Sequence, residues 1–600
     1  MKIINKVENF AACIIFILLV LLPFSDLIIR EIIRPFFSGI AKIPASQTLV
    51  SHLTLLIGFS GAIIASRDSK LLSLSNTSLF NDKVSGFSKH VTKWVSIFTV
   101  LLLAIGSLDL VFIELSFQYP VFIAPSLPRW IFQAAMPLGY FIIFIHLAGK
   151  MRNNIFSFSG LITILLIILF LVSQDTLREN GFILIFGIII FIFSVLNGAP
   201  IFTVLAGLGI LLFWFDYVPI SAVIAEAYRI VVSPHLATIP LFTLAGYFLA
   251  ESKASDRLVN VFKALFGWLP GGTPVIVLLI CGFFTALTGG SGVTILALGG
   301  LLFPMLIKDG YKKKFSLGLI TASGSIGLLF PPSLPLILYG VTAGISIKSI
   351  FIAGILPGIF LIIVLSLWTV YSGELDKVEK NNFNLNDSIN ACWETKWELF
   401  IPFIVLYGIF GGHAKLVETA AFTVVYIFVI ETFIYKDIKK KDIINIIVSC
   451  ATLVGGVLII IGAAMGLTSY MVDAQIPMKI LSVMKELVSS KYVFLILLNI
   501  FLLIIGCLMD IFSAIIIVVP LIAPLGLYYG VDPIHLAIIF IANLELGYLT
   551  PPVGMNLFLS AYRFDEKMPE IYKSTFPFFI VLLFAVLCIT YFPGLTLWFL

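Results

Sequence analysis

Two proline pairs interrupt long apolar stretches of this chain: Gly327-Leu328-Leu329-Phe330-Pro331-Pro332 and Gly547-Tyr548-Leu549-Thr550-Pro551-Pro552. Proline has no N–H to donate and pushes the preceding residue out of the helical region, while glycine leaves the backbone free. Each pair therefore breaks a helix inside a stretch that is apolar enough to cross a membrane. In hydrocarbon the freed backbone groups are costly, and a break survives only where it is buried in protein or lines a cavity. Two breaks in corresponding positions of two halves point to a transporter's binding site.

The correspondence extends beyond the prolines. At a constant offset of 220 positions, Pro304 meets Pro524, Gly310 meets Gly530, Ala322 meets Ala542 and Pro357 meets Pro577. Apolar sequences share many residues by chance, but prolines and glycines repeated at one offset indicate a duplication, over about 275–358 and 493–578. Within each copy two apolar arms flank a small polar tip. In the first the arms are about 275–287 and 294–307, around Thr288-Gly289-Gly290-Ser291-Gly292-Val293-Thr294. In the second they are about 493–506 and 511–525, around Gly506-Cys507-Leu508-Met509-Asp510-Ile511-Phe512-Ser513. Such arms fall short of a hydrocarbon core of roughly 30 Å, so each unit is expected to be a re-entrant hairpin. The loop after the first carries Lys308, Lys312, Lys313 and Lys314, whereas the loop after the second, 525–537, has no Lys or Arg. Lys and Arg mark the cytoplasmic side, so the two copies are inverted.

Composition agrees: 60% of the 600 residues are hydrophobic, against about half in an ordinary soluble domain. The chain reads as an all-α polytopic membrane protein. Candidate spans in the first part are 11–29, 50–66, 94–115 and 129–148. Lys2 and Lys6, then Arg67 through Lys93, then Lys150 and Arg152 fall on one side by parity, which places the N-terminus in the cytoplasm. A further apolar stretch at 158–173 reads as a linking helix. The resulting organisation is a four-helix domain over 1–155, a linking transmembrane helix within 156–180, and a transporter domain over 181–600. Between the two copies, 372–398 and 435–442 are polar and basic and flank spans near 399–412 and 416–434. The six scattered cysteines give neither a disulfide framework nor a transition-metal site, and no phosphate-binding lysine loop or convergent catalytic group marks an enzyme. The net charge of +5 lies in loops and reports orientation rather than nucleic-acid binding.

Intramembrane carboxylates are costly and mark functional sites by default. Asp510 sits at a hairpin tip beside Gly506 and Ser513, facing a break that offers Gly547, Thr550 and Pro551. Carbonyl, hydroxyl and carboxylate oxygens suit a hard cation such as Na+. The first copy offers Gly289, Gly290, Ser291 and Thr294 against Ser325, Gly327 and Pro331, with no carboxylate. Ser333, Asn543, Glu545, Asn556 and Arg563 are candidates for the substrate site. Close packing of small residues, a structural carboxyl and interface snorkelling are the competing explanations for the glycines, for Glu545 and for Arg563 respectively.

The segment Ile239-Pro240-Leu241-Phe242-Thr243-Leu244-Ala245-Gly246 through Pro270-Gly271-Gly272 resembles the large membrane subunit of TRAP (tripartite ATP-independent periplasmic) transporters. So do Gly310-Tyr311, Gly327 through Ser333, Tyr339-Gly340, Ala353 through Gly358, and Leu549-Thr550-Pro551-Pro552-Val553-Gly554. The first 150 residues resemble the small four-helix subunit through Gly58 to Ser73 and Pro137-Leu138-Gly139, so the whole resembles the naturally fused form. The resemblance implies an elevator-type carrier in a bacterial inner membrane, driven by Na+ and using no other cofactor. A soluble periplasmic binding protein would deliver its substrate, an organic acid. By the same resemblance the first cation site falls on 289–294 and 325–331, and the second on Asp510, Ser513 and 547–551. The alternative is a self-sufficient ion-coupled symporter of the same inverted-repeat fold, which has no need of a four-helix portion.

Overall fold

The structure, a computed structural model, describes residues 2–34, 36, 43–73, 82–150, 181–268, 272–372, 383–551 and 554–600. The stretch 158–173, read as a linking helix, lies outside these residues, as do Pro270, Gly271, Pro552 and Val553. Eleven described helices are long and apolar enough to cross a membrane. The chain divides into two compact units that do not follow sequence order: Met1–Pro240 with Ile447–Pro477, and Leu241–Ile446 with Met478–Leu600.

The first unit opens with the four anticipated spans, Asn5–Ile33, Ser46–Arg67, His90–Ser116 and Arg129–Gly149. Their ends meet as the charge pattern requires. Arg67 at the end of the second pairs with Glu8 at the start of the first at 2.7 Å. Lys150, just past the fourth, donates to the Ser66 carbonyl at 2.5 Å. These three ends share one face. At the other ends Glu114 of the third pairs with Arg129 of the fourth, next to a short strand pair, Phe122–Ala124 with Leu127–Pro128, that joins them. The apolar stretch from 182 is two helices, Gly181–Leu196 and Ile201–Phe215, because Asn197-Gly198-Ala199-Pro200 ends the first and Pro200 opens the second.

Lys440–Asp473, a helix of 34 residues, is about 50 Å long at 1.5 Å per residue, and most of it belongs to this unit. It crosses Ser46–Arg67 at Gly61 and Gly455, where a Cβ on Gly61 would lie 1.9 Å from the Ala451 carbonyl oxygen. Small residues give helices this close approach in a membrane, where packing rather than the hydrophobic effect joins them. His52, 5% exposed, donates or accepts at 2.8 Å with the Tyr228 hydroxyl on Ser221–Val231. That bond fastens the four-helix portion to the portion after 181. Tyr228→Phe strands the His52 nitrogen and is expected to cost about 1–3 kcal/mol, read as a lowered unfolding temperature in detergent with uptake machinery otherwise intact.

The second unit holds both hairpins and both breaks. The first hairpin is Gly272–Thr288 with Ser291–Lys308, and the second Lys491–Leu508 with Ile511–Tyr528. The arms are therefore 17–18 residues, longer than the 13 or so read from the apolar core alone, and three of the four, contrary to the expectation, are long and apolar enough to cross a membrane. Flanking Gly272-Thr273, Lys308, Lys491 and Tyr528 continue the helices, since amphipathic side chains suit helix ends at an interface. The first break separates Lys313–Leu329 from Leu334–Ala343 with a 45° bend. The second separates Pro533–Gly547 from Met555–Phe564.

The copies interlock reciprocally. Leu334–Ala343, beyond the first break, packs on Ile511–Tyr528 of the second hairpin, and Met555–Phe564, beyond the second break, packs on Ser291–Lys308 of the first. Lys313, in the basic loop after the first hairpin, meets Glu566 just past Met555–Phe564 at 2.5 Å. An inverted duplication predicts this exchange, since each half-helix then fills the groove left by its counterpart.

Candidate functional site

At the first hairpin, Gly289 takes φ +69° and turns the chain so that Gly290 caps Ser291–Lys308. Thr294 donates to Thr285 Oγ1 at 2.7 Å, and the Thr285 hydroxyl in turn donates to the Gly324 carbonyl at 2.8 Å. This chain of bonds ties the tip to the first break. Gly327 lies flat against the first arm: a Cβ there would sit 2.3 Å from the Gly282 carbonyl oxygen. Ser325, 2% exposed, accepts from Asn556 Nδ2 at 3.4 Å, and that amide also donates to the Thr321 carbonyl at 3.3 Å. Thr321 donates to Ser560 at 2.9 Å. Asn556 thus reaches from beyond the second break to the first. Pro331 follows Phe330 in the bend that ends the 3₁₀ turn Ile326–Leu329. Ser291 Oγ, Ser333 Oγ and Asn556 Oδ1 are buried without a protein partner. Buried polar oxygens are nearly always paired, so these three are free acceptors for an ion, a water or a substrate.

At the second hairpin, Asp510 caps Ile511–Tyr528. Its carboxylate accepts from Phe512 N at 3.0 Å, Ser513 N at 3.1 Å and Ser513 Oγ at 2.6 Å. No Lys or Arg among the described residues pairs with it; the helix N-terminus stabilises its charge. A carboxylate has about four acceptor positions, so lone pairs remain for a cation. Gly506 and Gly547 touch: a Cβ on Gly547 would lie 2.6 Å from Gly506 Cα. Ile511 N donates to the Tyr548 hydroxyl at 2.7 Å, and Gly554 N to the Cys507 carbonyl at 3.2 Å. Thr550 donates to the Leu546 carbonyl at 3.2 Å, and Pro551 is exposed. The tip and the break are thus bonded on both sides of the proline pair.

The remaining candidates separate. Asn543, fully buried, donates to Asn499 at 2.6 Å and to the Ile539 carbonyl at 2.8 Å, while Thr590 donates to Asn499 at 3.1 Å. It therefore ties three helices together. Glu545 is 5% exposed, with Oε1 unpartnered. Arg563 is exposed and lies across the second arm of the first hairpin, its guanidinium occupying the space a side chain on Gly300 would need. The sequence reading missed Thr285, Tyr548 and Asn499. Thr285 lies one arm away from Thr294 along the chain, and only the folded hairpin brings the two hydroxyls together.

Two family descriptions match the chain. "Tripartite ATP-independent periplasmic transporter, DctM component" matches residues 188–595, and "Tripartite ATP-independent periplasmic transporters, DctQ component" matches 19–156. The chain belongs to the TRAP transporter family. It carries both membrane components of that family in one polypeptide, as the residue-level resemblance implied. The isethionate TRAP transporter permease protein DctMQ of Oleidesulfovibrio alaskensis is 34% identical over 64% of this chain and 60% of its own length. The chain thus aligns with less than two thirds of that relative. The C4-dicarboxylate TRAP transporter large permease protein DctM of Rhodobacter capsulatus is 31% identical over 69% of this chain and 98% of its own. The 2,3-diketo-L-gulonate TRAP transporter large permease protein YiaN of Escherichia coli is 28% identical over 64% of this chain and 91% of its own.

Proposed function

We propose that this TRAP membrane component imports an organic acid into a bacterial cell, coupled to Na+, from a separate periplasmic binding protein. The observation that carries the reading is the paired geometry: each hairpin tip closes on a proline break and brings carbonyl and hydroxyl oxygens together among apolar helices. One tip is uncharged and the other holds Asp510, which suits two hard monovalent cations of oxygen coordination. The first would sit among Gly289, Gly290, Ser291, Thr294, Ser325, Gly327 and Pro331, and the second among Gly506, Asp510, Ser513, Gly547, Thr550 and Pro551. Ser333 and Asn556 supply buried polar oxygens without a protein partner for the substrate, with Asn543, Glu545 and Arg563 the further candidates, and half-helix N-termini supply the positive end that a carboxylate needs. The hairpins and broken helices would move as the elevator's transport domain, and the four-helix portion with the outer helices, aided by the connecting helices, would be the fixed scaffold. The named relatives carry acids of different shape, which supports the substrate class and leaves the particular acid to experiment.

Cation binding is tested without transport. Na+ at about one hundred times its dissociation constant stabilises a single site by about 2.7 kcal/mol. Na+ is expected to raise the unfolding temperature of the detergent-solubilised chain where equal K+ does not, and Thr294→Val is expected to remove part of that shift. Equal shifts with Na+ and K+ would contradict the reading.

A further inference from the structure

Away from both hairpins, one arginine serves three carboxylates. Arg257, on the amphipathic helix Ala254–Phe266, places Nε on Glu398, Nη2 on Glu431 at 2.9 Å and Nη1 on Asp437 at 2.6 Å. The three acids come from separate places: the first turn of Lys396–Phe410, the π-turn Ile430–Ile434 and the turn that follows it. Glu398 and Glu431 side chains are fully buried, and Asp437 is 11% exposed. The Tyr435 ring lies 3.8 Å from Arg257 Cζ, and its hydroxyl donates to the Glu394 carbonyl at 2.5 Å. Ser252 faces Glu431, and the Lys253 amide donates to Asp437 at 3.2 Å. No second basic side chain among the described residues pairs with any of the three.

Ionised throughout, this hub would bury two carboxylates and hold a third against a single positive charge. Uncompensated buried charge costs several kcal/mol, and a group neutralises rather than bear it. A second observation shows where compensation belongs: the Tyr435 hydroxyl approaches the Glu398 carboxyl and the Ser252 hydroxyl the Glu431 carboxyl, yet Glu398 Oε2 and Glu431 Oε1 are buried and neither accepts a hydrogen bond of ordinary geometry. Two free oxygens are too few for a hard metal cation, which takes six or so, and the adjacent guanidinium repels one. A proton needs a single oxygen.

We propose that the Arg257 hub binds one exchangeable proton, held on Glu398 or Glu431 at neutral pH. The proton sets the charge at the point where three helical segments of the second unit meet. Its loss as pH rises adds a buried negative charge and loosens that junction, so the closed hub belongs to the lower-pH side of the transition.

The test is infrared spectroscopy of the full chain reconstituted in lipid. A carbonyl stretch of a neutral carboxyl is expected at neutral pH, absent from Glu431→Gln or Glu398→Gln, kept in Asp437→Asn, and lost from the wild type as pH is raised. Glutamine copies the shape of the neutral acid, so the variant that removes the proton-bearing group should fold. Wild-type spectra superimposable on both glutamine variants at every pH would overturn the proposal. So would failure of both variants to fold, because it would show that both carboxylates must be ionised. A band that Na+ removes at fixed pH where K+ does not would assign the site to a metal ion instead, and would overturn it equally.

Discussion

Asp510→Ala is expected to abolish Na+ stimulation of uptake while leaving the chain folded and inserted. The substitution removes three accepted hydrogen bonds at the start of Ile511–Tyr528, and loss of a helix cap costs about 1–2 kcal/mol. That is a small part of the packing of a helix whose inner face is buried from Ile511 to Gly526. The ion site loses its only formal charge among the assigned ligands. Asp510→Asn separates the two roles, since asparagine caps a helix as well as aspartate but carries no charge. Uptake titrated against Na+ should show the asparagine variant with normal folding and a Na+ requirement raised at least tenfold, equivalent to about 1.4 kcal/mol of lost binding. A normal Na+ titration in Asp510→Asn would remove Asp510 from the site.

Gly327→Ala is expected to abolish transport by prising the first break off its hairpin. The added carbon would lie 2.3 Å from Gly282 O and 2.6 Å from Ala286 N. Both are backbone atoms of a packed helix, so no side chain can rotate away, and the first break must lift off the hairpin. Overpacking of this kind costs about 1–3 kcal/mol or more. The lift also pulls on the Thr285 bonds to Gly324 and Thr294. Uptake should fall to background with membrane insertion retained. Gly456→Ala is the matched control, because its new carbon meets only Leu72 at 3.8 Å; it should transport normally. Comparable activity of the two variants would show that the break and the hairpin do not hold each other in the transporting protein.

Much of the architecture was legible before folding because it rests on local rules. Two consecutive prolines just after a glycine announce a break from the sequence alone, and the 220-residue echo between Pro304 and Pro524 requires only the sequence. The inversion followed from lysines after one hairpin and none after the other, and the reciprocal packing of Leu334–Ala343 and Met555–Phe564 agrees with it. What escaped depends on distance along the chain. The placement of most of Lys440–Asp473 with the N-terminal helices is decided by Gly61 and Gly455, which are almost 400 positions apart. Asn543, a substrate-site candidate in sequence, spends its Nδ2 donors on Asn499 and the Ile539 carbonyl and keeps a buried Oδ1 without a protein partner. Arm length was misjudged because lysine and tyrosine end an apolar run without ending a helix. The Arg257 hub is assembled only by folding, since Arg257 meets Glu398 and Glu431 across 141 and 174 positions of sequence.

Coupling and delivery are tested together by uptake of candidate organic acids into proteoliposomes holding this chain, under an inward Na+ gradient, with and without the cognate periplasmic binding protein. Accumulation is expected only when the Na+ gradient and the loaded binding protein are both present. Accumulation without the binding protein would contradict the tripartite mechanism and identify a self-sufficient carrier of the same fold; accumulation without Na+ would show that the two hairpin sites do not drive transport.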